Sequence, residues 1–362
     1  SLFTLLSAAG SVKDLHLTKN NLHELQPMKI NPVASMETLI LRKCSLTESD
    51  IEPLLTLLSA AGNVKELYLV DNNLHELQPV EITPVPTLQT QCIQECDLTN
   101  SDVQPLLAAG SVQEIALSGN NFHNLQPVNI TPVPSMQTLK IIECSLTNDD
   151  IQPLFTLLSA AGSVQELVLA GNNFHNLQPV NITPVPSMQT LKIIECCLTN
   201  SDFESLFTLL SAAGSVKELR LVKNNFHNLQ PINIPPVPSM QTLNVIECGL
   251  TNSDIEPLFT LLSAAGSVKE LALVKNSFHN LQPTSITPVP SIQKLTIMEC
   301  GLTISDIGSL FTLLSAAGSV KDLVLIKDNF HNLQPVNITP VPSIQKLQLE
   351  ECGLTNSDIE PL

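Results

Sequence analysis

Val216-Lys217-Glu218-Leu219-Arg220-Leu221-Val222-Lys223-Asn224-Asn225-Phe226 is the stretch whose reading decides the fold. Leu219 and Leu221 alternate with polar or variable neighbours, the period of a short strand that buries one face. Asn224 falls where the chain must leave that strand, and an inward amide there can bond backbone groups that a turn strips of partners. The residues that follow, His227 to Ser239, include Pro231, Pro235, Pro236 and Pro238. That density of proline excludes a helix, so the chain should return in an extended, polyproline-like crossing.

A second, different coil begins 24 residues later at Met240-Gln241-Thr242-Leu243-Asn244-Val245-Ile246-Glu247-Cys248-Gly249-Leu250. Cysteine takes the place of asparagine at the turning position. Ser253-Asp254-Ile255-Glu256-Pro257-Leu258 then opens an apolar run that ends at Gly266. We expect a helix of about three turns, with Ser253 and Glu256 as a capping box, proline in the first turn and Gly266 as the C-cap. From Met240 to the next strand at Val268 is 28 residues, so the pair of coils spans 24 + 28 = 52.

That 52-residue period runs through the chain. His175, His227, His279 and His331 share one Phe-His-Asn-Leu-Gln-Pro context and rise by 52 each time, as do His23 and His75. The step from His75 to His123 is 48, because Val103-Gln104-Pro105-Leu106-Leu107-Ala108-Ala109-Gly110 has lost a helical turn. In the same unit Gln91 takes an inward leucine position, and the two irregularities suggest a bend or weak point. A period of this length means stacked units that share one elongated core.

L-x-x-L-x-L-x-x-N-x-L is the pattern of a leucine-rich repeat. The expected fold is therefore α/β, a horseshoe-like leucine-rich-repeat solenoid of 14 coils. A parallel sheet should line its concave side, and its convex side should alternate helices with Pro-rich extended segments. Residues 1–362 read as one such domain. Ser1 to Gly10 look like the tail of a repeat and Ser357 to Leu362 like the start of one, so we expect a fragment cut mid-repeat at both ends. The Asn/Cys alternation and the Cys-x-Leu-Thr start of the 28-residue coil resemble ribonuclease inhibitor and the leucine-rich region of nucleotide-binding (NACHT-type) immune receptors. The matching residues run from Cys44-Ser45-Leu46-Thr47 and Cys96-Asp97-Leu98-Thr99 to Cys352-Gly353-Leu354-Thr355. The resemblance covers the whole chain, but the 24-residue coils replace that family's second helix with a proline-rich crossing. It implies a protein partner on the concave face and, in the immune receptors, a sensing role in innate immunity.

Composition narrows the classes further. With 43% hydrophobic and 14% charged residues the chain is too apolar for disorder. A formal charge of −17 argues against nucleic acid and against anionic membrane surfaces as partners. No apolar run approaches the ~20 residues that cross a bilayer, and the opening residues are expected to be repeat rather than signal peptide.

Nine cysteines raise the question of disulfides. Cys44, Cys96, Cys144, Cys196, Cys248, Cys300 and Cys352 sit in alternate coils, two strand spacings or ~10 Å apart, beyond the ~7 Å reach of a bridge. They read as buried, reduced thiols and point to a cytoplasmic chain, with a secreted one as the alternative. The same spacing argues against a metal site in the histidine ladder. Asn129-Ile130-Thr131, Asn181-Ile182-Thr183 and Asn337-Ile338-Thr339 match the glycosylation triplet as copies of one loop, each followed by proline. No nucleophile–base set, carboxylate pair or phosphate loop stands out from the repeat, so no catalytic residue, cofactor or metal is assigned and an enzyme is not expected.

Variation inside a near-identical repeat marks the candidate site. The residue between the two strand leucines changes almost every coil, through Lys140, Val168, Lys192, Arg220 and Asn244, and should face concave solvent. The next outward position is apolar over Ile142, Ala170, Ile194, Val222, Ile246, Val274, Met298 and Ile326. Such a stripe is either an interface or a β-branched ladder whose members shield one another. Beside it, Glu95, Glu143, Glu195, Glu247 and Glu299 alternate with Lys223, Lys275 and Lys327, while Gly119 and Gly171 should leave Glu143 and Glu195 unpaired. A recognition module is the reading these rows favour. The alternative is a structural or self-associating repeat protein without a small ligand.

Overall fold

The computed structural model describes residues 10–25, 35–77, 85–102, 112–126, 135–230, 233–282, 286–331, 338–355 and 358. The shortened segment at 103–110 lies outside them, as do residues 1–9 and 359–362 and the triplet at Asn129. The chain divides into two compact units, one of Ser1–Asn173 with Val185–Met188 and one of Phe174–Pro184 with Gln189–Leu362.

The first unit holds β1 (Asp14–Thr18), β2 (Thr38–Arg42), β3 (Glu66–Val70), β4 (Thr90–Gln94), β5 (Glu114–Ser118), β6 (Thr138–Ile142) and β7 (Glu166–Ala170). Each pairs in parallel with the next. Helices α1 (Ile51–Ala61) and α2 (Ile151–Ala161) follow β2 and β6. The second unit continues with β8 (Thr190–Ile194), β9 (Glu218–Val222), β10 (Thr242–Ile246), β11 (Glu270–Val274), β12 (Lys294–Met298), β13 (Asp322–Ile326) and β14 (Lys346–Glu350). These too are parallel and in register, so that Leu219, Leu243, Leu271 and Leu295 stand in one row. Helices α3 (Phe203–Ala213), α4 (Ile255–Ala265) and α5 (Ile307–Ala317) follow its even-numbered strands. The fold is an α/β leucine-rich-repeat solenoid.

Its core is the inward half of that alternation. Leu219, Leu221, Leu243 and Val245 are fully buried, and Phe203 packs edge-on against Phe226 with ring centroids 4.5 Å apart. Gln91 does point inward and is buried, as its place in the pattern requires. The proline-rich crossings contain no helix among their described residues. Ile234, Val237 and Met240, three apart, are all buried, the spacing expected of a backbone with three residues per turn. The crossing is tied to the helix behind it by the Val237 amide, which donates to Ala265 O at 3.2 Å.

Three inward polar residues close each 52-residue pair. Asn224 Oδ1 accepts the amides of Cys196 and Leu198, both at 3.2 Å, while Nδ2 donates to the carbonyls of Ile193 and Val222, both at 3.0 Å. At the alternate position the Cys248 thiol donates to Leu221 O and Ile246 O at 3.4 and 3.3 Å. The third is Asp254, which the sequence reading passed over. Its Oδ1 accepts the Leu229 amide of the preceding coil at 2.6 Å, and Oδ2 accepts the amide and hydroxyl of Thr251 at 2.7 and 2.8 Å.

This corrects the expected cap. The capping box is Thr251 with Asp254, around the 3-10 turn Asn252–Asp254. Ser253 instead shares a hydrogen bond with the Thr251 hydroxyl at 2.9 Å. A tight 3-10 turn precedes the α-helix and moves the first orphan amides two residues upstream. The far cap is as expected: Gly266 adopts φ +78°, a left-handed conformation that a side chain would strain, and its amide donates to Leu262 O.

Replacing Asp254 with alanine would leave the buried Leu229 amide and the half-buried Thr251 amide and hydroxyl without the carboxylate at once. At about 1 kcal/mol or more each, a loss of about 3–4 kcal/mol is expected, read as a fall in the urea unfolding midpoint. An unchanged midpoint would show that water replaces the carboxylate.

Candidate recognition face

The outward half of the strand alternation presents three rows. In the second unit the middle row holds Lys192, Arg220, Asn244, Ala272, Thr296, Val324 and Gln348. Arg220 is exposed, Val324 is buried, and the others are half-buried. In the first unit Lys140 is half-buried, but Val168 is only 8% exposed, so its neighbours leave little of it to a partner. The apolar row is half-buried throughout: Ile142 and Ala170 in the first unit; Ile194, Val222, Ile246, Val274, Met298 and Ile326 in the second. Parallel pairing in strict register stacks these side chains so that each covers part of the next.

The remaining row was missed. Two residues before the variable position, Glu66, Glu114, Glu166, Glu218 and Glu270 recur in alternate coils. Glu114 meets Lys140 at 2.6 Å with each side chain about one third exposed. Glu218 takes Arg220 Nε at 2.7 Å and also accepts from Asn244 Nδ2 at 3.2 Å. Glu66 accepts from the Tyr68 hydroxyl at 3.1 Å. Several variable polar residues are thus held by carboxylates from an adjacent row, which fixes their direction. The signal was legible as a second recurrence beside the first.

The charged row occupies the strand exits, and every described exit has left-handed backbone. Glu195, Lys223, Glu247, Lys275, Glu299 and Lys327 have φ between 50° and 54°. Non-glycine residues hold that conformation only where neighbours over-determine it. Here the exit amide bonds the carbonyl that ends the next strand, as from Lys223 to Ile246 O at 2.9 Å. Lysines reach back one coil: Lys223 to Glu195 at 2.6 Å, Lys275 to Glu247 at 2.9 Å and Lys327 to Glu299 at 3.3 Å. The Glu195 bond holds the Lys223 amine above its ordinary range, and the Lys275 bond lowers the Glu247 carboxyl.

That geometry corrects one expectation. Glu195 is paired, because its partner comes from the coil after it and Gly171 lies before it. The glutamates followed by glycine are Glu95 and Glu143, whose Cγ atoms lie 2.9 and 2.7 Å from where a side chain on Gly119 or Gly171 would begin. In the first unit an open groove of about 440 Å³ runs along these exits, lined by Lys43, Asp71, Glu95 and Asp97 among others.

Buried thiols lie beneath the rows. All nine cysteines are free, with Cys197 exposed and Cys92 half-buried on the middle row. Burial pushes the Cys96 and Cys300 thiols up to about 12 and those of Cys144 and Cys248 to about 11. Among the described residues no group of three or more His, Cys, Asp or Glu side chains is placed to hold a metal. Asn181 and Thr183 are exposed on either side of the buried Ile182, whereas Asn337 lies outside the described residues.

Ribonuclease inhibitor of Mus musculus is 27% identical over 92% of the chain and 68% of its own length. The chain is a leucine-rich-repeat protein resembling ribonuclease inhibitor. A NACHT, LRR and PYD domains-containing protein 3 of Macaca mulatta is 25% identical over 47% of this leucine-rich-repeat chain, which spans 17% of that protein. Among solved structures, an internalin of Listeria monocytogenes covers 95% of the chain and 88% of its own, with a TM-score of 0.48 and 15% identity. No family model matches. No described helix of the leucine-rich-repeat chain is long and apolar enough to cross a membrane.

Thiol accessibility offers a direct check of this arrangement. Iodoacetamide on the native chain, followed by mass spectrometry, is expected to label Cys197 first and Cys92 slowly. Cys44, Cys96, Cys144, Cys196, Cys248, Cys300 and Cys352 should react only after unfolding. Native labelling of Cys248 would contradict the buried ladder.

Proposed function

We propose that this chain is a protein-recognition module that holds its partner on the outward strand face, the concave side of a solenoid. One observation carries the reading: from β2 to β13 the middle row changes chemistry from strand to strand while the residues on either side of it stay buried and, Gln91 apart, aliphatic. Drift alone would also vary an exposed row, but it would not supply the carboxylates that orient Lys140, Arg220 and Asn244. In the second unit the contact set is Lys192, Ile194, Arg220, Val222, Asn244, Ile246, Val274 and Met298, edged by Glu195. In the first it is Lys140, Ile142, Glu143 and what Val168 leaves exposed.

The names of the relatives suggest partners. One is an inhibitor of ribonuclease, and another carries its leucine-rich region within a NACHT and PYD protein. The second relation supports a cytoplasmic sensing region of an innate immune receptor, and nine free thiols suit that reducing compartment. The first is less well supported, because tight interfaces lean on Trp, Tyr and Arg and the chain has no Trp, one Tyr (Tyr68) and two Arg (Arg42 and Arg220). Titrated against a ribonuclease, the chain is therefore expected to leave activity intact at equimolar ratio; stoichiometric inhibition would overturn that argument.

The face itself is tested with clones selected from a protein-display library on the wild-type chain. Ile194→Lys and Ile246→Lys are expected to weaken their binding tenfold or more with the urea midpoint unchanged. His227→Ala, on the exposed loop after β9, should leave it intact. Binding that survives both lysine variants makes the stripe structural. A weight-average mass that climbs with concentration in sedimentation would favour the self-assembling alternative.

A further inference from the structure

Asn72, Asn120, Asn172, Asn224 and Asn276 are the buried asparagines that close the odd-numbered strands, and Asp328 stands in the same place after β13. Asn276 makes four bonds. Its Oδ1 accepts the amides of Cys248 and Leu250, both at 3.2 Å, and its Nδ2 donates to Val245 O and Val274 O, both at 3.0 Å. Asp328 repeats the first half: Oδ1 accepts the amides of Cys300 and Leu302, both at 3.0 Å. Its Oδ2 cannot repeat the second half as a carboxylate. It is fully buried and has no partner. Since β12–β13 keeps the register of β10–β11, Oδ2 faces Ile297 O and Ile326 O, the counterparts of the two carbonyls that Asn276 satisfies.

Ile326 O already accepts the Glu299 amide at 2.9 Å, but an ionised Asp328 would set its own unpartnered Oδ2 against two carbonyl oxygens with no donor between them. We propose that Asp328 is held as a neutral carboxylic acid whose Oδ2 proton bonds one of these carbonyls, which makes the β12–β13 junction a pH-sensitive joint. Among the described residues no group of three or more His, Cys, Asp or Glu side chains is placed there to hold a cation.

The surrounding groups supply no positive charge to the pocket. On the preceding coil, the Cys300 thiol donates to Leu273 O and Met298 O, and the nearby Asp306 pushes the Asp328 carboxyl up. On its own coil, Lys327 directs its amine to Glu299 at 3.3 Å and Glu351 at 4.0 Å. On the following coil, the Cys352 thiol donates to Leu325 O and Glu350 O. Burial is the largest effect on the Asp328 carboxyl and pushes it up; the Leu302, Cys300 and Gly301 amides oppose that without reversing it.

The sign follows from linkage. A carboxyl raised above its unfolded value of about 3.9 contributes stability that is complete below that value and is lost as pH rises through the folded one. The joint should be tightest in acid and should loosen as Asp328 ionises, opposite to the usual behaviour of a buried, hydrogen-bonded carboxylate.

Native-state hydrogen exchange resolves the joint with the chain as its own control. Protection factors of the Cys300 and Leu302 amides are expected to fall with rising pH by up to about tenfold per unit over the titration, the equivalent of one proton. Those of Cys248 and Leu250, held by Asn276, should stay flat. Asp328→Asn restores the residue that the other coils use, so it should fold and abolish the slope, and it should remove a protonated-carboxyl infrared band present in the wild type at the acid end of that slope. Flat Cys300 and Leu302 protection in the wild type, a slope that survives in Asp328→Asn, or protection restored at high pH by calcium would each overturn the proposal.

Discussion

The structure depends on how buried backbone is satisfied where each strand ends. A strand in a parallel sheet hands its amides and carbonyls to its neighbours, but the turn that follows pairs only some of its groups with the next coil. In this chain the turn faces inward, where an orphaned amide or carbonyl costs about 1–3 kcal/mol. Asn224 meets the problem with two acceptor bonds to the coil before it and two donor bonds to carbonyls. Cysteine can do only the donor half, as Cys248 does. Cysteine is therefore enough after a proline-rich crossing, while an acceptor, asparagine or Asp328, is required after a Cys-x-Leu coil, whose amides need one. The alternation of the two residues is the alternation of the two coil types, seen from inside.

Polar residues fastened in this way leave the other side of the strand free. Backbone register is set by Asn, Cys and Asp from within, so an outward residue can be His, Tyr, Lys, Asn or Val with no effect on the turn. The left-handed exits follow from the same constraint. Glu, Lys or Gly can stand there because the exit amide is held by the next strand's carbonyl, and the side chain contributes little beyond a solvent-exposed ion pair of about 0–1 kcal/mol.

Much of this was legible because the repeat multiplies each signal. Leu219 and Leu221, Asn224, the prolines from Pro231 to Pro238 and Gly266 each predict a local geometry, and the period carries it through the chain. Legibility failed where the physics is non-local. Asp254 reads as an ordinary helix-start residue, and only the fold shows the Leu229 amide, 25 residues earlier, pointing at it. Glu195 was misread for a related reason. Sequence shows which charges alternate, whereas the direction in which a lysine reaches depends on how successive strand exits lean. The glutamates that steady Lys140 and Arg220 lie one row away on the strand, and attention to the variable position alone hid them.

Charge balance on the strand face bears on the kind of partner it can hold. In the second unit Lys192, Arg220, Lys294 and Lys346 stand against Glu218, Glu270, Asp322 and Glu350 across the three outward rows, four cations to four anions. The strand exits add Lys223, Lys275 and Lys327 against Glu195, Glu247, Glu299 and Glu351, three to four. In the second unit the face is nearly neutral although the chain carries −17, so the net charge resides mainly outside it. Long-range attraction can bring a basic molecule to the chain, but it cannot seat one on these strands. On the proposed reading, discrimination there would come from shape against Ile194, Val222, Ile246, Val274 and Met298, and from hydrogen bonds to polar groups whose own partners are already in place. A partner that supplies charge alone would have to break the Lys–Glu pairs it meets. One that presents apolar side chains with a few matched polar groups would leave them standing.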